Sequence, residues 1–286
     1  MSVRARFATG PHRNVSSLTA ALSEPYLQNA LWGGIIVALL AAFVGYFVIA
    51  RQAAFATHAL SQIGFAGAAG AELLGIEPLI GLLVFAVLGA LGLGVLGERS
   101  RSRDVVTALV LVCSLGTGAL FLALERDYAS NAFSLLFGSI VGVDRLQVLL
   151  TALAALCAIA LLAAIARPLL FASVARAAAG AAGVPVFALD LIFLIVVALA
   201  AAVTVPIVGT LLVFSLTIGP SAAASRIATN PAATISLAAG LGIIAVVAGI
   251  MLAYATDWPV GFYVSLIAFV EYALARFARR RTQAIA

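Results

Sequence analysis

Long apolar runs alternate with short polar breaks along almost the whole chain. Residues 27–50 form the first run, free of charged side chains, and 52–71 form a second whose one ionisable group is His58. Runs at 78–97, 105–124 and 146–166 follow. The stretch 191–225 is uncharged and too long for one simple crossing. Pro206 lies near its middle, where a proline readily separates two helices, which predicts helices over 187–205 and 207–225 with Asp190 near the start of the first. Runs at 232–254 and 259–275 complete the pattern. Roughly 20 apolar residues of helix span a bilayer core, so the pattern predicts an all-α polytopic bundle of nine transmembrane helices, give or take one. A shorter apolar piece, NAFSLLFGSIVGV at 131–143, is of a length that lies at one membrane face rather than crossing. The bundle is then one transmembrane region over 27–276, between a tail at 1–26 and a basic tail at 277–286.

Composition removes the water-soluble alternatives. Hydrophobic residues are 64% of the chain and charged ones 9%, against about 45–50% and about 25% in soluble domains. All sixteen basic residues are Arg and none is Lys. A phosphate loop of the Walker type and Schiff-base catalysis both need that absent amine. The net charge of +5 is scattered between apolar runs rather than gathered on one face, which argues against a nucleic-acid partner. The N-terminal MSVRARFATGPHRN runs into no compact apolar stretch with a small-residue cleavage site, so it is not read as a cleaved signal peptide. Cys113 and Cys157 sit inside apolar runs and are expected as small buried hydrophobes; two cysteines build neither a disulfide framework nor a four-ligand zinc site. No nucleophile–base pair or metalloprotease helix occurs, and the chain reads as a non-enzyme with no bound cofactor.

Arg placement sets the expected orientation. With the C-terminus inside, the inner ends collect Arg51, Arg99, Arg101, Arg103, Arg167, Arg176, Arg226 and the tail arginines, while the outer loops keep only Arg126 and Arg145. The N-terminal Arg4, Arg6 and Arg13 run against this bias.

Candidate chemistry concentrates on the second helix. His58, Gln62, Phe65, Ala69 and Glu72 fall on one helical stripe, with Ser61 beside it. A polar stripe inside a membrane points at the bundle interior or at a water path. His58 and Gln62, one turn apart, can touch a single ion, the imidazole being the better transition-metal ligand. Gln62 lies roughly 16 Å along the helix from Arg51, near the bilayer middle. The competing reading is that the pair only hydrogen-bonds neighbouring helices. Gly64, Gly67, Ala68 and Ala71 on the opposite face permit close helix approach, and Pro206, Gly209 and Pro220 are candidate packing positions further on. The connection at 167–186 is the longest assigned to the inner side and rich in small residues. It reads either as a solvated linker or as a short helix that docks into a partner.

At this point the chain resembles a known family, the permease subunits of bacterial ATP-binding-cassette importers for zinc and manganese, the metal branch related to siderophore permeases. The matching pieces are RQAAFATHALSQIGFAG (51–67), LFGSIVGV (136–143), GVPVFALD (183–190), VGTLLVFSLTIGPSAAASR (208–226) and DWPVG (257–261). The resemblance implies a homodimer in the bacterial inner membrane, with separate cytoplasmic ATPase subunits that bind the ATP and an extracytoplasmic metal-binding protein. It implies a permeation path past His58, Ser61, Gln62 and Glu72, carrying zinc or manganese as substrate. It also implies a coupling segment that includes Arg167, Phe171, Val174, Arg176, Gly180, Gly183 and Val184. Where the family commonly has an acid and a His four residues apart, this chain has His58 and Gln62, and its coupling segment reads SVARAAAG in place of an Asp-Pro-Glu-like start. The alternatives are a permease for a metal chelate, siderophore- or cobalamin-like, and an ion-coupled secondary carrier, which would ordinarily show internal repeats.

The orientation is testable in whole cells. A membrane-impermeant thiol reagent is expected to label a cysteine placed at Tyr128 and to spare one placed at Ser102; the reverse pattern would invert the topology.

Overall fold

A computed structural model describes residues 25–99, 103–124, 143–256 and 258–285, and its regular elements are all α-helices. They are α1 (Pro25–Ala50), α2 (Ala54–Leu73), α3 (Pro78–Arg99), α4 (Arg103–Ala123), α5 (Arg145–Val174), α6 (Arg176–Ala181), α7 (Val186–Val208), α8 (Thr210–Ile227), α9 (Pro231–Thr256) and α10 (Val260–Ile285). The segment expected as a short helix at 131–143 lies outside the described residues but for Val143, as do Tyr128, Ser102, Arg126 and most of the N-terminal tail.

Among the described residues nine helices are long and α6 is a single short one, in keeping with the nine expected crossings. Seven, namely α1, α3, α4, α5, α7, α9 and α10, are long and apolar enough to cross a membrane on their own. The other two are α2, which carries His58, Gln62 and Glu72, and α8, which is apolar over Leu212–Ile227; neighbours cover most of α2, from Thr57 to Ala71 with only His58 and Gly70 less than fully buried. The chain is a multi-pass membrane protein, and the polar helix α2 sits inside it, as the cost of polar groups in hydrocarbon demands.

α7 is apolar but for Asp190 and Thr204, and 67% of its most apolar window is buried, against 17% for α4. It is the central post of the bundle. Phe193 and Leu194 of α7 belong to one continuous core with Phe47 of α1, Leu60 of α2, Leu162 of α5 and Leu216 of α8.

Two expectations change. The uncharged stretch breaks at Gly209 and not at Pro206, which lies within α7. Proline's fixed φ suits a helix and removes a single donor, whereas Gly209 adopts φ 81° and ψ 158°, a backbone shape closed to L side chains. Cys113 and Cys157 are exposed and not buried. On the outside of a membrane bundle an apolar run faces lipid, so apolarity there does not imply burial.

Small residues set how closely α2 and α3 pack. A Cβ at Gly67 would press on the Gly81 carbonyl oxygen, and one at Gly81 on the Gly67 carbonyl oxygen. Gly67→Ala is therefore expected to destabilise the protein by about 1–3 kcal/mol, read as a lowered melting temperature in detergent. Gly116→Ala on α4, where the added methyl meets open space, is expected to be neutral or to stabilise by up to about 1 kcal/mol.

Candidate functional site

α2 starts from a tight turn that its sequence builds. Gln52 takes the left-handed conformation at φ 54°, and Ala53 N–H reaches back to the Val48 carbonyl at 2.9 Å. This six-to-one bond closes α1 in the manner of a Schellman cap. α2 begins at the next residue, Ala54, so its first turn is tied directly to the end of α1.

Each face of α2 then has its own neighbour. Gly64 and Gly67 face Leu82, Gly81 and Phe85 of α3. Phe65 and Ala69 pack with Phe121 and Leu122 of α4, and Gly118 of α4 admits the Phe65 ring. The His58 ring lies 4.9 Å, centroid to centroid, from that of Phe214 on α8. The polar stripe therefore runs in the interior between α4 and α8.

His58 is half-buried, while Gln62 is 3% exposed and Ser61 1%. Ser61 Oγ donates to the Thr57 carbonyl at 3.2 Å, so its hydroxyl is satisfied within the helix. His58 Nδ1 and Gln62 Oε1 are buried with no hydrogen-bond partner. Buried polar atoms are ordinarily paired, and these two unpaired atoms lie one turn apart on one face of α2. The structure thus brings His58, Ser61 and Gln62 together. Glu72 stands about 15 Å further along the helix, beyond reach of the same ion. Among the described residues no cluster of three or more His, Cys, Asp or Glu side chains could hold a metal ion.

Further polar groups come from α8 and α10. Thr210 Oγ1, at the break after Gly209, and Ser221 Oγ are buried without partners, and both carboxyl oxygens of Glu271 on α10 are too. The sequence does not single out Thr210 or Ser221, because isolated Thr and Ser in an apolar helix normally bond to the preceding turn, as Thr217 does to the Val213 carbonyl at 2.7 Å. Only neighbouring helices reveal which hydroxyls are orphaned.

The segment expected as a connection at 167–186 is partly helical. α5 runs on to Val174 through Pro168, carrying Arg167 and Phe171 with it. Arg176 opens α6 and Gly180 lies within it; Gly183 turns the chain at φ 81°, and Val184 leads into α7. Phe171 is 42% exposed and Val174 88%, so this end of the bundle presents apolar side chains outward.

The chain matches the ABC 3 transport family over residues 23–279. It is 28% identical to the manganese transport system membrane protein MntC of Halalkalibacterium halodurans, over 90% of this chain and 88% of that one. It is 25% identical to the high-affinity zinc uptake system membrane protein ZnuB of Haemophilus influenzae, over 89% of this chain and 98% of that one. Among solved structures, PsaBC from Streptococcus pneumoniae in complex with Fab superposes with a TM-score of 0.83 at 25% identity, covering 92% of this chain and 95% of that one.

The orphaned pair makes a stability prediction. Because Gln62 Oε1 makes no hydrogen bond, Gln62→Leu is expected to leave melting unchanged or to raise it. A loss beyond about 2 kcal/mol would mean that Gln62 is a hydrogen-bonded strut after all.

Proposed function

Because the chain belongs to the ABC 3 transport family, we propose that it is the permease subunit of an ATP-driven importer that carries a divalent transition metal, zinc or manganese, into a bacterial cell. The observation that carries this reading is the buried pair His58 and Gln62, an imidazole nitrogen and a carboxamide oxygen with no partner of their own on an interior helix. The membrane relatives handle manganese and zinc, metals that accept nitrogen and oxygen donors. Two neutral donors hold a dication loosely, which suits a site that must also release it.

ATP is hydrolysed on a separate subunit in this reading, as a chain without Lys requires for a Walker-type loop. Two copies of the chain form the pathway between them. The end bearing Arg51, Arg176 and α6 faces the cytoplasm, where exposed Phe171 and Val174 meet the ATPase, and a metal-binding protein delivers the ion to the opposite end. A chelate permease of the same architecture is less well supported, since the membrane relatives named above are manganese and zinc systems. An ion-coupled secondary carrier has no support from membership of this family.

Transport decides it. In vesicles containing the chain with its ATPase and ATP, uptake of labelled zinc or manganese is expected to fall at least about tenfold in His58→Ala, with assembly and melting retained. Gln62→His, which adds a second imidazole, is expected to change the zinc-to-manganese ratio. Normal uptake by His58→Ala would remove this helix from the pathway.

A further inference from the structure

Three charged side chains from distant parts of the sequence meet at the α6 end of the bundle. Arg51 follows the last residue of α1, Arg176 opens α6, and Asp190 lies in the second turn of α7. Asp190 Oδ1 accepts a hydrogen bond from Arg51 Nη2, and Oδ2 accepts one from Arg176 Nη1 at 2.7 Å. Arg51 Nη1 also donates to the Leu169 carbonyl at 3.3 Å and to Ser173 Oγ at 3.2 Å, both on α5. Its guanidinium lies 5.1 Å from the ring centroid of Phe193 on α7. The Arg51 and Asp190 side chains are 9% and 8% exposed, while that of Arg176 is 53% exposed.

Such a cluster contributes little net stability, because desolvation offsets most of the attraction between the charges. What it supplies is direction, since each carboxylate oxygen of Asp190 faces one guanidinium. α6 has few other ties to the bundle, for Ala179 alone among its side chains is buried. A polar cavity of about 270 Å³ adjoins the cluster, lined by Arg51, Gln52, Ser173, Arg176 and Asp190 among others. Water there can take over these hydrogen bonds when they part, so the link can break and re-form as the elements shift.

We infer that Asp190 is the positioning residue that transmits movement of α6 to the permeation helix. Through Arg176 it holds α6, and through Arg51 it holds the tight turn from which α2 starts. His58 lies one turn into α2 and Gln62 two. A displacement of α6 by the ATPase therefore pulls on the end of the helix that carries the candidate metal donors, with one carboxylate in between. This rests on the reading of the protein as an ATP-driven permease.

The test measures ATP hydrolysis and labelled metal uptake together in vesicles containing the chain and its ATPase. Asp190→Asn keeps the shape and removes the charge; it is expected to raise the ATP hydrolysed per metal imported at least about tenfold. Arg176→Gln is expected to act in the same direction, the double variant to be no worse than Asp190→Asn alone, and Asp190→Glu to bring the ratio back towards wild type. A merely structural role would lower assembly and both activities together, leaving the ratio unchanged. If the wild-type complex imports neither metal, the permease reading falls and this inference with it. If the wild type imports metal and Asp190→Asn keeps its ratio, this inference alone is overturned. Should Asp190→Asn fail to assemble, Arg176→Gln, which leaves Arg51 paired with Asp190, decides in its place, and a wild-type ratio there overturns the inference.

Discussion

Inside hydrocarbon a polar group has no water to fall back on, and the bundle is organised around that lack. The backbone satisfies itself within helices. Most side-chain hydroxyls do the same by bonding to the carbonyl one turn earlier: Thr57 to Ala53, Ser61 to Thr57, Thr204 to Ala200 and Thr217 to Val213. Because this local solution is so widely used, the side chains that lack a partner stand out. His58 and Gln62 are the clearest, since both lie on one face of one interior helix.

That helix is held for two different purposes. Its glycine face lets α3 approach until backbone nearly touches backbone at Gly67 and Gly81, giving it a firm wall. Its other faces meet Phe65's partners on α4 and the Phe214 ring on α8, so the polar stripe is enclosed. Close packing on one side and orphaned donors on the other are what the proposed coordinating site needs, a rigid support and no competing hydrogen bond.

The charged groups of the α6 end follow a different rule from those of the middle. There a carboxylate and two guanidiniums are paired with one another and with a hydroxyl and a carbonyl. The pairing joins helices that are remote in sequence, and it sits beside a polar cavity. Ion pairs placed in that way fix relative position more than they stabilise, which is why they fall between the part of the chain proposed to meet the ATPase and the part proposed to meet the metal.

Much of this was legible in the amino-acid order. Run lengths of apolar residues determine how many helices can cross a bilayer, and a helical period determines that His58, Ser61 and Gln62 share a face, because both are properties of a local backbone geometry. The tertiary structure alone decided the rest. It moved the break from Pro206 to Gly209, because proline is compatible with helical φ whereas the glycine takes a positive φ that ends the helix. It turned Cys113 and Cys157 outward, because an apolar residue in a membrane is equally at home facing lipid or core. It showed Thr210, Ser221 and Glu271 to be orphaned, and it joined Arg51, Arg176 and Asp190, whose separation along the chain hides a contact made only when α1, α6 and α7 end on the same side of the bundle. Which polar groups are satisfied depends on neighbours distant in sequence, and no local pattern carries that information.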